Sequence, residues 1–221
     1  MRTLTRTLVK KNGLGKVSVI TADMLDGYTS IGSSAFYNCS DLTCVAVPDS
    51  VTSIDYGVFA YCKNLKSVGI PDSVTNIGSR AFYGCRSLTS ITIPNSVTSI
   101  EFGAFKSCTG LTSITIGDKT YKPQTVKNGK CKAYKAFRAN MTCRGFQYEK
   151  GKTYEYEGVP ILCVCGFHAC LSLSDVFNYY CCEFGKDVVV YEVELEGVSA
   201  KRNEYDSKVV AKKITIGKRI L

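Results

Sequence analysis

Apolar residues recur along the N-terminal half at one fixed interval. Ile31, Ile54, Ile77 and Ile100 stand 23 residues apart. Each is followed by a small residue and a Phe, at Ala35-Phe36, Val58-Phe59, Ala81-Phe82 and Ala104-Phe105. Three positions on come Cys39, Cys62, Cys85 and Cys108, and after them Leu42, Leu65, Leu88 and Leu111. Alternation then predicts a short strand on Val45/Val47, Val68/Ile70, Ile91/Ile93 and Ile114/Ile116. Pro48, Pro71 and Pro94 end these strands, because proline cannot donate to the next ladder position. A coil this short cannot bury its Ile, Phe, Leu and Val positions alone, so neighbouring coils must stack. Stacking sets the strands ~4.8 Å apart in a parallel sheet on one side. Ser50, Ser73 and Ser96 suit the turns between strand and apolar stretch. The pattern begins near Ala22 and stops at Gly117-Asp118, which replaces the Pro-Asp/Asn step of earlier units.

Residues 22–118, with wording such as AFYGCRSLTSITIPNSVTSI at 81–100, resemble the bacterial surface-antigen-type leucine-rich repeat. The resemblance implies a solenoid that binds other macromolecules and carries no catalytic residues of its own.

Beyond Asp118 the period vanishes. Residues 119–131 are polar and basic, with Pro123 and Gly129, and read as a linker or basic loop. Strands are expected at 132–138, 146–150, 153–157, 161–165, 187–196 and 209–216, with one helix over 173–182 opened by Ser172 and Asp175. The expected fold is therefore α+β: a leucine-rich-repeat solenoid with short parallel strands, then a small α+β domain with one main helix. Its parts are an N-terminal cap (1–21, through Leu14, Val17, Val19 and Ile20), the solenoid (22–118), the linker and the C-terminal domain (132–221). The stretches YKAF, CRGFQYEKGKTYE, GFHAC and DVFNYY resemble a domain of uncharacterised function from phage and gut-bacterial genomes. That resemblance implies a mobile-element origin and supplies no activity.

Charge refines this picture. The net charge is +9, yet residues 1–16 hold Arg2, Arg6, Lys10, Lys11 and Lys16 with no acid, while 17–118 are net acidic. No run approaches the ~20 apolar residues a bilayer helix needs, so no membrane partner is expected. The first twenty residues lack the apolar stretch of a secretory signal, which predicts a cytoplasmic protein with reduced thiols, in the host cytosol if phage-encoded. The four repeat cysteines share one orientation, poor geometry for disulfides, and read as packed thiols.

The chemistry-bearing residues are few. Cys163, Cys165, His168 and Cys170, with Cys143, Cys181 and Cys182, invite a zinc reading, but C-x-C and H-x-C spacings are cramped and core thiols are the expectation. No metal and no cofactor is expected. Glu192, Glu194 and Glu196 share one strand face and read as solvated. A faint resemblance to small bacterial ADP-ribosyltransferases would rest on Tyr134, His168, Tyr180 and Glu194; Lys135-Ala136 stands where that family has its His or Arg. A nucleic-acid or ribonucleoprotein partner would use the basic half, with Tyr134, Phe137, Phe146 and Tyr148 as stacking platforms.

The leading expectation is a non-enzymatic interaction protein that binds a host protein as inhibitor or adaptor, with counter-defence the most concrete role. Repeat cores are committed to stacking, so recognition must use outward positions that differ between coils. These are Tyr56, Tyr61, Lys63, Arg80, Tyr83, Arg86, Phe102 and Lys106, continued by Lys119, Lys122, Lys127 and Lys130.

Overall fold

Each repeat closes one coil because its backbone groups find partners one coil away. The computed structural model describes residues 2–143, 145–157, 167–179, 182–183, 188–198 and 208–220. It divides into two units, Met1–Tyr121 with Phe177–Cys181, and Lys122–Val176 with Cys182–Leu221.

In the first unit the strands foreseen from alternation form at Cys44–Ala46, Ser67–Gly69, Ser90–Ile93 and Ser113–Ile116, in two parallel ladders, the first two paired together and the last two paired together. A second parallel column joins Thr3–Leu4, Ser30–Ile31, Ser53–Ile54, Asn76–Ile77 and Ser99–Ile100. Two-residue strands are too short for alternation to register, so a sheet on one side only was expected. The Phe-bearing turns form a third ladder. The N–H groups of Gly57, Phe59 and Tyr61 donate to the carbonyls of Ser79, Ala81 and Tyr83 at 2.9, 2.8 and 2.7 Å, and Arg80, Phe82 and Gly84 repeat this onto the next coil. The serine hydroxyls of Ser50, Ser73 and Ser96 donate to Tyr28, Val51 and Val74 carbonyls at 2.7, 2.7 and 2.9 Å.

The N-terminal residues add a coil of their own. Thr5 caps the helix Arg6–Lys11, a 3-10 turn covers Leu14–Lys16, and Val19–Ile20 pairs with Cys44–Ala46. Leu14 and Ile20 are buried, but Val19 is 44% exposed, since adjacent strand residues point to opposite sides. Strand pairing runs on past Ile116: Lys119–Tyr121 turns back antiparallel onto Ser113–Ile116, where a linker was expected.

The interior of the first unit is a column of rings. Phe36, Phe59, Phe82 and Phe105 stack at centroid spacings of 5.5, 5.5 and 5.4 Å, and Phe177 extends the column at 5.9 Å. Beside it, the thiols of Cys62, Cys85 and Cys108 donate to the carbonyls of Phe36, Phe59 and Phe82 at 3.0, 3.1 and 3.0 Å. Burial pushes the Cys62 and Cys108 thiols up to about 12, and raises those of Cys39 and Cys85 as well. The native chain thus keeps protons that the unfolded chain releases near pH 9. Their stabilisation is complete below that pH and is lost as pH rises toward 12, at about 1.4 kcal/mol per pH unit per thiol. The melting temperature should therefore fall steeply above pH 9, and less steeply in a Cys62→Ala/Cys108→Ala variant. Equal alkaline slopes for the two proteins would contradict this account of the thiols.

The second unit holds a six-stranded antiparallel sheet in the order Thr153–Glu155, Lys213–Arg219, Val188–Glu196, Lys130–Arg138, Phe167–Cys170, Lys208–Ala211, and a two-stranded one of Thr142–Cys143 and Phe146–Gln147. The helix runs Leu173–Tyr179. Three details differ from the sequence expectation. The single strand expected at 209–216 is two, divided at Lys212, whose N–H turns to the Glu196 and Gly197 carbonyls. The segment Phe167–Cys170, where no strand was expected, is a strand. Asn128 and Gly129, both at positive φ (50° and 71°), form a tight hairpin turn closed by Lys127 and Lys130, where a plain loop was expected. The strand expected at 161–165 lies outside the described residues.

Candidate functional site

The Phe-bearing turn needs two left-handed residues per coil to aim its N–H groups at the next coil. They fall at Ser34, Gly57, Arg80 and Gly103 (φ 57, 59, 57 and 67°), and at Asn38, Tyr61, Gly84 and Ser107 (φ 56, 63, 72 and 63°). Gly and Asn adopt this region readily; for other residues the Cβ crowds the following carbonyl, at a cost on the order of 1–2 kcal/mol. Four of the eight positions hold Gly or Asn, and two hold the small residues Ser34 and Ser107. The two large side chains are Tyr61 and Arg80.

Both line the same concavity, of about 290 Å3, with Tyr37, Tyr56, Tyr83 and Lys106 around them. Tyr61 packs edge-on against Tyr37 at 5.5 Å and Tyr83 at 5.1 Å. Its hydroxyl pKa lies above the ordinary tyrosine value, chiefly through a hydrogen bond with Tyr83. Room for this ring comes from the sister position in the next coil, since a Cβ at Gly84 would sit 3.3 Å from it. Arg80 Nη1 donates to Tyr56 Oη at 3.3 Å. Tyr56 and Tyr61 are 49% and 37% exposed, so four tyrosines and two cations face outward with no carboxylate in the lining. Such a surface can stack an apolar or aromatic group and pair an acidic one.

Of the positions singled out by their variation between coils, Tyr56, Tyr61, Arg80, Tyr83 and Lys106 converge here. Lys63 and Arg86 are exposed, Phe102 is half-buried, and none of the three lines the concavity. Lys119 belongs to the first unit, whereas Lys122, Lys127 and Lys130 belong to the second, where Lys130 pairs with Glu196 at 3.3 Å. Tyr37 was missed. It shares its repeat position with Ala60, Tyr83 and Lys106, so the variation that flagged Tyr83 and Lys106 extended to it.

Of the residues of the transferase resemblance, the structure describes the side chains of Tyr134 and Glu194. Tyr134 is buried, its hydroxyl donating to the Lys122 carbonyl and accepting from Gln124 Nε2, both at 3.1 Å. Glu194 is exposed, opposite Lys132. His168 lies on a strand paired with Val210, and Tyr180 falls outside the described residues. Glu192 pairs with Lys218 at 3.4 Å. Phe137 and Tyr148 are core residues, which removes them as stacking platforms; Phe146 is exposed. Cys163, Cys165 and Cys181 lie outside the described residues, among which no cluster of three or more metal-ligating side chains occurs. Also among the described residues, no helix is long and apolar enough to cross a membrane.

Residues 20–134 match the model of the BspA-type leucine-rich repeat region in six copies, and residues 131–221 match a domain of unknown function (DUF7666). Similar solved structures include a leucine-rich repeat protein from Bacteroides ovatus (39% identity, 47% of this chain, 26% of that one, TM-score 0.43). A leucine-rich cell-surface protein from Faecalibacterium prausnitzii shares 33% identity over 46% of this chain and 32% of that one, with TM-score 0.38. A pneumococcal vaccine antigen shares 22% over 46% and 25%, with TM-score 0.44. The chain thus spans between a quarter and a third of these proteins' lengths. No curated protein matches it. The cytoplasmic location expected from the sequence is overturned by the match to the BspA-type repeat, whose relatives include a leucine-rich cell-surface protein.

Proposed function

The chain belongs to the BspA-type leucine-rich repeat family, and from that premise we propose that it is a surface-exposed binding protein whose tyrosine-lined edge holds an acidic patch of a protein partner. Leucine-rich repeats are in general protein-interaction folds. The observation that carries the reading is the placement of Tyr61 and Arg80 at backbone positions which sister coils give to Gly, Ser or Asn. Strained positions persist where function retains them. Tyr and Arg are also the residue types most often found anchoring interfaces. A nucleic-acid partner for the basic half gains nothing from Tyr134, Phe137 and Tyr148, which are buried. Phage origin, inhibition of a host protein and counter-defence form no part of the proposal, because no described residue bears on them.

The test is the triple variant Tyr61→Ala/Arg80→Ala/Tyr83→Ala, assayed for capture of protein partners by immobilised chain. Capture should drop at least tenfold, roughly the loss of one interface anchor, while the melting temperature stays within a few degrees of wild type. Undiminished capture by the folded triple variant would reject the edge as the binding surface.

A further inference from the structure

We propose that the N-terminal coil carries a second site, for a sugar-sized ligand bearing two or more phosphate or sulfate esters. It adjoins the tyrosine-lined edge, with which it shares Tyr37, but its cations are not part of that edge.

A cavity of about 470 Å3 opens beside the helix Arg6–Lys11, and four cations line it: Arg6, Lys10, Lys11 and Lys16. No carboxylate does. This convergence is not the general charge of the unit, since residues 17–118 are net acidic. Nor is it helix capping alone. Lys10 and Lys11 suit the negative end of the helix dipole, but Arg6 stands in the first turn, where a cation is disfavoured and where no acid accompanies it. Lys16 comes from a different element, the turn Leu14–Lys16. Four like charges around one hollow repel each other, and a bound multivalent anion relieves that repulsion.

Arg6 is held in place for this task. Its Nη1 donates to the carbonyls of Ser34 and Tyr37, and its guanidinium lies 5.3 Å from the Tyr37 ring centre. The lysines are exposed and can swing onto separate anionic groups. Val9, Ala35 and Tyr37 give the cavity an apolar wall, as a sugar ring requires, and its volume lies within the range of small-molecule pockets. Esters of phosphate and of sulfate present the same chemistry: several tetrahedral oxyanions on one ring.

The experiment is calorimetric titration of the full chain at fixed ionic strength with two probes, fructose 1,6-bisphosphate and a trisulfated heparin disaccharide; glucose serves as the uncharged control. One or both probes should bind one to one, more weakly as salt rises, and the probe that binds identifies the ester. The variant Lys10→Ala/Lys16→Ala should bind at least about tenfold more weakly. Its charge-preserving counterpart Lys10→Arg/Lys16→Arg should stay close to wild type. Lys150→Ala/Lys152→Ala, in the second unit, should leave affinity unchanged. No binding of either probe at millimolar concentration would overturn the proposal. So would binding that survives the alanine pair, that is lost in the second-unit pair, or that glucose matches. All four lysine positions in these variants are exposed and uninvolved in the core, and the arginine pair reports on the site should the alanine pair not fold.

Discussion

Phe82→Ala should cost about 3–5 kcal/mol, the range for deleting a buried ring whose cavity cannot close. Phe82 is wholly buried between Phe59 and Phe105, with centroids 5.5 and 5.4 Å away and interplanar angles of 14° and 0°. Closing the gap would require the coils to approach, and the backbone ladder holds them apart: Phe82 N donates to the Ala104 carbonyl and Phe59 N to the Ala81 carbonyl, both at 2.8 Å. Each coil touches only its neighbours, so the damage divides the stack in the middle. Phe36→Ala, whose ring meets the column on one side, should cost less. Urea denaturation of the three proteins measures this, and a loss below about 1 kcal/mol for Phe82→Ala would contradict the picture of a rigid ring column.

The second large effect has the opposite sign for stability. Arg80→Gly should stabilise the protein by about 1 kcal/mol, because its sisters Gly57 and Gly103 adopt the same left-handed backbone without strain. Its losses are small: one 3.3 Å hydrogen bond to Tyr56 Oη from an exposed side chain. Tyr61→Asn borrows the residue of the equivalent position, Asn38. There the relief is offset by lost ring contacts with Tyr37 and Tyr83, each worth about 0.5–1.5 kcal/mol, so the net change is near zero. The double variant should melt as wild type does or about 2–4 °C higher. Lower melting by as much would show that these side chains serve the fold and not a partner.

The repeat was legible in the sequence because stacking places Ile, Phe, Cys and Leu at the same depth in every coil, and only an exact period does that. The leucine-rich-repeat architecture could be read accordingly, and alternation beyond Asp118 indicated a small α+β domain, whose antiparallel pairing only the structure shows. What escaped was set by backbone geometry. Pairs such as Ser53–Ile54 pair in parallel without an alternating pattern of their own. Lys212 splits the β-favouring stretch 209–216 through two backbone hydrogen bonds of its N–H that the side-chain pattern does not announce. The location inferred from the N-terminal residues rested on an absent signal, a weaker basis than the repeat wording itself. At the edge, variation between coils pointed to Tyr61 and Arg80 but could not tell them from Lys63 or Arg86. Their positive φ does, and that follows from the hydrogen-bond ladder, in which Tyr61 N donates to Tyr83 at 2.7 Å and Arg80 N to Phe102 at 3.1 Å.

The most direct measurement pairs the melting temperature with partner capture in Tyr61→Asn/Arg80→Gly. The edge exchanges stability for recognition on this proposal, so the variant should be at least as stable as wild type and should capture at least about tenfold less protein partner. Equal capture by a variant of equal or higher stability would contradict the central claim, because the strained tyrosine and arginine would then have no recognition to account for them.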